Sequence, residues 1–226
     1  MSQSKPPFDD ISVLSTLALK GALEAAAPGL RAEYHATQAL LKSIAEGHSA
    51  DVVILTTEGI EELVSRGAVL PQTRLDLGRS GVGLAVRAGA PRPKIGTFEE
   101  LKQTLLTAAS VGHSKQGASG LYFAALLEKH GLANRLKKRV IVEKGPVAVG
   151  IAKGEIQLGA QLLCELAPVP GIEIIGPLPA EVQKYYSFAA AVMKTSKKPQ
   201  AAKAFLDFMR TEPVRAAMKK NLLEPA

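Results

Sequence analysis

The chain has 226 residues, 46% of them hydrophobic, and 28 Lys and Arg set against 21 Asp and Glu give a formal charge of +7. That is enough apolar content for one large domain or two lobes of about 100 residues each. Aromatics make up 4%, with no Trp, so stacking platforms for nucleic acid are lacking and no helix-turn-helix or zinc-finger spacing appears, while the positive balance favours an anionic partner whose kind the charge alone does not name. No apolar run approaches the roughly 20 residues of a membrane span, and the single Cys164 excludes an internal disulfide.

Residues 11–14 read as a short buried strand ending in Ser15-Thr16, before a helical run over 17–27 closed by Pro28-Gly29. Residues 31–35 read as a second strand, after which Ala36-Thr37-Gln38 opens a helix that stops at Gly47. A strand over 51–55 and a helix over 58–66 follow, with Asp51 placed to cap or position backbone. Residues 79–87 are strand-like, with glycines where backbone must bend or pass closely. Past the sharp Pro91-Arg92-Pro93 loop come a helix over 98–108 and a strand from Val111. There Ser114-Lys115-Gln116-Gly117-Ala118-Ser119-Gly120 delivers the start of a helix that runs to about His130. The first turn of a helix leaves backbone N–H groups unpaired at the positive end of its dipole, so such a loop suits an oxyanion, although a plain N-terminal cap reads the same way.

Strands are expected at 140–142, 156–163, 172–175 and 185–193, and helices at 147–153, 199–210 and 213–220. The alternation predicts an α/β fold with a largely parallel sheet covered on both faces. In such sheets ligands sit outside the carboxyl ends of the strands, where three hydroxyl-bearing loops point. Cys164 falls in an apolar run and reads as core. Lys137-Lys138-Arg139, Lys197-Lys198 and Lys219-Lys220 read as solvated faces.

Five segments in order carry a family resemblance: Ser15-Thr16, residues 34–51 (YHATQALLKSIAEGHSAD), GASGLYFAALLEKHGL from Gly117, GEIQLG from Gly154 and VPGIEIIGPLPAE from Val169. Together they resemble the molybdate-binding family of bacterial solute-binding proteins. The resemblance implies a periplasmic-binding-protein-like fold of two α/β lobes, residues 1–80 with 189–226 and residues 81–188. Two crossover strands would join them around a ligand cleft, with hinges near Ser80-Gly81 and residues 186–189.

Carried across by position, the family's oxyanion contacts fall at Ala18 with Ser15 and Thr16 just upstream, at Thr37 and at Ser119. A backbone contact falls near Pro146, which has no N–H to donate, and a tyrosine position is Leu162. Those two departures argue against molybdate. The neighbourhood instead offers His35, Arg79, His113, Lys115, Gln116 and Lys144, a set suited to carboxylates. The expected ligand-binding residues are Ser15, Thr16, Thr37, Arg79, His113, Lys115, Ser119, Gly120 and Lys144. Arg79 reads as a carboxylate fork or a surface ion-pair partner, the histidines as loop polars or ligand contacts, the lysines as solvated or bound, and Tyr122 as core or ligand contact. Glu165 is set aside because a buried acid in an anion site would repel the ligand.

Two functions follow from the resemblance. One is a binding protein closing on a small anion, a di- or tricarboxylate rather than molybdate, and served by an ABC permease if exported. The other is an isomerase of the aconitate isomerase type, moving a proton on an unsaturated acid. No cofactor, metal, nucleic acid or membrane insertion is expected, and the protein is expected to be a monomer. The sequence as written carries no export signal, so a cytoplasmic location is expected, or a periplasmic one if a leader has been removed.

Overall fold

The computed structural model describes Phe8 and residues 10–226; the rest of the N-terminal stretch read as lacking an export signal lies outside them. In chain order the elements are β1 (Ser12–Thr16), α1 (Lys20–Ala26), β2 (Arg31–His35), α2 (Thr37–Ala45), β3 (Val52–Thr56), α3 (Thr57–Ser65) and β4 (Leu75–Arg87). Then come α4 (Phe98–Thr107), β5 (Val111–Ser114), α5 (Ala118–Lys129), β6 (Arg139–Val142), α6 (Val147–Ala152), β7 (Leu158–Leu162) and α7 (Leu163–Leu166). The chain finishes with β8 (Ile172–Pro177), β9 (Tyr185–Val192), α8 (Pro199–Met209), α9 (Glu212–Lys220) and β10 (Glu224–Pro225).

Contacts divide the chain into two units, Met1–Arg79 with Tyr186–Ala226, and Ser80–Tyr185. In the first, β1 runs parallel to both β2 and β3, and β9 lies antiparallel to β3 with Val53 opposite Ala191. β3 is buried at every position, as a strand covered on both faces must be. Leu14, Val53, Leu55, Ile60, Leu63, Ala189 and Ala191 share its core. Full burial of a side chain such as Leu55 contributes about 1.5 to 3 kcal/mol, and such terms oppose the chain entropy lost in folding. β2 is the edge strand, and its exposed Arg31, Glu33 and His35 discourage pairing with a further strand. Asp51 ties this unit together: Oδ2 accepts from Ser12 N at 2.9 Å and Oδ1 accepts from Ser196 Oγ at 2.7 Å.

In the second unit β5 runs parallel to β6 and β7, while β4 is antiparallel to β7 and β8. Val147, Ala148, Ile151, Ile156 and Leu166 pack against Ala85 in its core. The capping box expected of a well-made helix start appears at α4, where Thr97 Oγ1 accepts from Glu100 N and Glu100 reaches back to Thr97 N.

Two expectations are corrected. The sheets are mixed rather than largely parallel, because β4 and β9 run antiparallel to their neighbours. A parallel pair needs a long crossover, which the β-α-β segments supply. β4 and β9 are instead the strands along which the chain passes from one unit to the other, so no such crossover sets their direction. The strand expected over 156–163 is shorter, and Leu163–Leu166 turns into α7. A short apolar run does not by itself distinguish strand from buried helix.

Candidate functional site

Three strands of the second unit, β6, β5 and β7, end on one edge, and each is followed by a helix that starts there. At the end of β5, Ser114 leads into α5, whose N-terminal cap is Gly117 with no side-chain hydrogen bond. Ser119 and Gly120 are buried in its first turn. Gly120 is required by packing, since a Cβ there would stand 2.1 Å from Ser114 O. Lys115 is exposed and pairs with both oxygens of Glu143 from the β6–α6 loop, at 3.0 and 2.9 Å. Lys144 is exposed in that same loop.

His113 lies inside this edge, 3% exposed. Arg139 donates from Nε to its Nε2 at 2.9 Å, which leaves Nδ1 as the protonated nitrogen, donating to Ser114 O at 3.0 Å. Burial, with the adjacent Arg139 charge, pushes its pKa below the usual imidazole range although the Ser114 carbonyl acts against this. His113 is thus a neutral, doubly hydrogen-bonded ring.

The most unusual chemistry at this edge sits on residues outside the expected set. Gln161, buried at the end of β7, accepts from Ala148 N at the start of α6 at 3.1 Å and donates from Nε2 to Glu165 Oε2 at 2.7 Å. The amide therefore closes one of the N–H groups that the α6 start presents next to Pro146. Glu165 is half-buried, and the loss of surrounding water pushes its carboxyl above the usual carboxylate range, the Gln161 bond offsetting this only in part. A carboxyl shifted toward its neutral form repels an anion less than an ordinary carboxylate does, which weakens the ground for setting Glu165 aside. Beside it Cys164 is wholly buried, its thiol pushed up by burial and by the Glu165 charge, as fits core. Leu162 is likewise buried.

Gln183 lies on the same side of the unit. Its Oε1 accepts from Val82 N at 3.2 Å, and Val82 stands opposite Leu162 in the β4–β7 ladder. Its Nε2 is buried without a hydrogen-bond partner among the described residues, a donor of the kind that buried polar groups rarely leave unused. Tyr122 donates to the carbonyl of Val182 next to it at 2.7 Å, which fits packing of α5 rather than ligand contact. The only signal in the sequence for the Gln161–Glu165 pair was its four-residue spacing; Gln183 carried none.

In the first unit, β2, β1 and β3 likewise end on one edge. Ser15 and Thr16 are buried there, Ser15 Oγ donating to Thr16 O at 3.0 Å. Thr37 opens α2, and its Oγ1 accepts a long bond from Thr56 N at 3.5 Å. Thr56 caps α3 through Gly59 N. Ala18 is buried in the turn after β1, and His35 is exposed at the end of β2.

Arg79 is placed elsewhere in this unit, opposite Glu224 in the β4–β10 pairing, and donates from Nε to Glu224 Oε2 at 2.7 Å. Both line a cavity of about 460 Å³ that also takes in Thr57, Arg74, Asp76 and Ser187. Arg74 pairs there with Asp76. The described residues hold no group of three or more His, Cys, Asp or Glu placed for a metal ion, and no helix long and apolar enough to cross a membrane.

Residues 22–221 match the family model described as bacterial extracellular solute-binding protein. The chain is 33% identical to an aconitate isomerase from Pseudomonas sp over 97% of its own length and 89% of that protein's. Among solved structures, the periplasmic molybdate-binding protein of Azotobacter vinelandii superposes with a TM-score of 0.74 at 18% identity, covering 95% of this chain and 98% of that one. The sulfate-binding protein of Mycobacterium tuberculosis gives 0.67 at 17% identity, covering 96% and 86%. At those identities the two structures establish the shared fold.

Proposed function

The chain belongs to the bacterial extracellular solute-binding protein family, and within it we propose an isomerase that shifts a proton along the allylic carbons of an unsaturated tricarboxylate of the aconitate type. The observation that supports this most is the 33% identity to an aconitate isomerase, spread over 97% of the chain rather than confined to one segment. The edge of the second unit has the means to engage such an acid. Lys144 supplies charge, Lys115 would supply it on exchanging its Glu143 partner for the ligand, the first turn of α5 at Ser119 and Gly120 would supply backbone donors, and Gln183 a buried amide N–H. Within the first unit, taken by itself, Ser15, Thr16 and Thr37 are proposed as carboxylate contacts at its own strand-end edge, and Arg79 as one in the cavity that it lines with Glu224. His113, with both ring nitrogens engaged, is assigned to shaping its edge.

A second reading, binding of a di- or tricarboxylate without chemistry, is supported by the description of the family itself. Under that reading an ABC permease would be the partner and the periplasm the place. Both readings prefer carboxylates to molybdate, on the ground that Pro146 and Leu162 stand where oxyanion contacts are expected.

Ultraviolet absorbance of cis- and trans-aconitate incubated with the purified protein separates the two. A shift toward one equilibrium mixture from either side is expected, and tight binding with no interconversion would leave only the binding reading. A melting-temperature screen with citrate, aconitate, molybdate and tungstate addresses ligand class. At about 100 times its dissociation constant a ligand stabilises by roughly 2.7 kcal/mol. A response to molybdate alone would end both readings.

A further inference from the structure

We infer that Glu165 is the group that takes and returns the proton in this reaction, with Gln161 as its positioning residue; the inference rests on the isomerase reading. Three features of the second unit carry it. Glu165 stands at the carboxyl edge of the parallel strands, directly after β7, where an α/β sheet places its chemistry. Its Oε2 is held by Gln161 Nε2 at 2.7 Å. The orientation of that amide is dictated from behind: Gln161 Oε1 accepts from Ala148 N, so a flipped amide would lose a backbone hydrogen bond and turn an oxygen toward the carboxylate. One carboxyl oxygen is thereby fixed, and Oε1 is left as the oxygen that exchanges the proton.

The step balances without any other reactant. As the C–H bond of the substrate's methylene breaks, an O–H bond forms on Glu165, and the C–H electron pair spreads over the adjoining double bond and its carboxylates. The same O–H then delivers its proton to the far carbon of the allylic system. The double bond has moved by one carbon, and Glu165 is again a carboxylate. A carbon acid is weak, so a base with proton affinity above that of an ordinary carboxylate suits it, and burial of Glu165 acts in that direction.

α7 packs on β7 and β8. β7 contributes the Gln161 amide and no charge, and β8 contributes Glu173, already paired with Arg92 at 2.9 Å. On α7 itself the neighbour is Cys164, whose thiol is buried and whose backbone N–H donates to Ser80 Oγ. No cation is paired with Glu165 among the described residues, so its proton is governed by burial and by Gln161.

The test compares the full chain with Glu165→Gln, Glu165→Asp and Gln161→Met. Three readouts are used: aconitate isomerisation, uptake of solvent deuterium into trans-aconitate, and trans-aconitate binding by calorimetry. Glu165→Gln is expected to lose roughly 10²- to 10⁴-fold in kcat and to stop deuterium uptake, the usual scale for removal of a general base. Its affinity for trans-aconitate is expected to stay within about threefold, since the lost interaction belongs to the transition state. Glu165→Asp is expected to keep part of the rate. Gln161→Met is expected to move the acid limb of the kcat/KM profile to higher pH, because the bond it removes is the one that favours the carboxylate. Retention of more than roughly a tenth of the wild-type kcat in Glu165→Gln would overturn the assignment of Glu165 alone. So would a loss of rate accompanied by an equal loss of binding. A wild-type protein that binds trans-aconitate without isomerising it would overturn the isomerase reading and this inference with it.

Discussion

A Cβ built on Gly120 would stand 2.1 Å from the carbonyl oxygen of Ser114 and 2.2 Å from its hydroxyl. The first turn of α5 therefore lies directly on the end of β5, a distance that only a residue without a side chain allows. Gly120 is helical, so its requirement is one of close approach rather than of backbone conformation.

Gly120→Ala is accordingly expected to push the start of α5 away from β5 and to lower stability by about 1 to 3 kcal/mol, the usual cost of overpacking. Chemical denaturation with an unchanged m-value would measure it. A variant as stable as the parent would mean that α5 shifts freely, and that its first turn is not held where an anion would need it.

Glu165→Gln carries a stability signature separate from any activity. Its carboxyl is raised in the folded protein relative to the ordinary glutamate value of 4.5. Between those two pKa values the folded state holds more protons than the unfolded one, so stability falls as pH rises through that window. Glutamine has no proton to lose. The variant is expected to melt higher than the parent at neutral pH, with the difference vanishing below about pH 4.5. For a chain of this length each kcal/mol amounts to about 2 to 4 °C. Parallel melting curves that never diverge would show that Glu165 ionises without cost.

Asp51 has the opposite sign. Burial raises its pKa, but the bonds from Ser196 and from Ser12, together with the charge of Lys198, more than offset this and hold the carboxyl below 3.8. Its stabilisation is present above the unfolded pKa and is lost as pH falls through the lower folded value. Asp51→Asn is expected to cost about 1.5 to 3 kcal/mol at neutral pH, the range for a hydrogen bond to a charged group. The gap should close in strong acid. Denaturation at pH 7 and near pH 2.5 would reveal it, and an equal loss at both would assign the effect to packing.

Arg79 is 145 residues from Glu224 in sequence and 2.7 Å from it in the fold. If Arg79 also holds a substrate carboxylate, Arg79→Ala should weaken binding of trans-aconitate by about 1.5 to 3 kcal/mol, and Arg79→Lys should recover only part of the loss. Unchanged affinity in calorimetry, on protein with a normal melting curve, would confine Arg79 to its pairing with Glu224. That exposed pair is worth at most about 1 kcal/mol.

What this sequence determined by itself is everything that depends on local pattern. The buried strand expected over residues 51–55, the Gly and Ser loop into α5, most of the alternation of strands and helices and the resemblance to the solute-binding proteins are written in contiguous residues, whereas α7 was hidden in an apolar run whose start read as strand. Periodicity and loop chemistry survive reading one segment at a time. The direction of β4 and β9 did not, because it depends on where the chain leaves one unit and enters the other. Nor did the partners: His113 with Arg139, Arg79 with Glu224, and Gln161 with both Ala148 and Glu165 are joined across the fold or across element boundaries. Glu165 shows the reason most plainly. A sequence gives an acid its ordinary charge, but its proton affinity is set by the burial and hydrogen bonds that surround it, and only the folded chain supplies those.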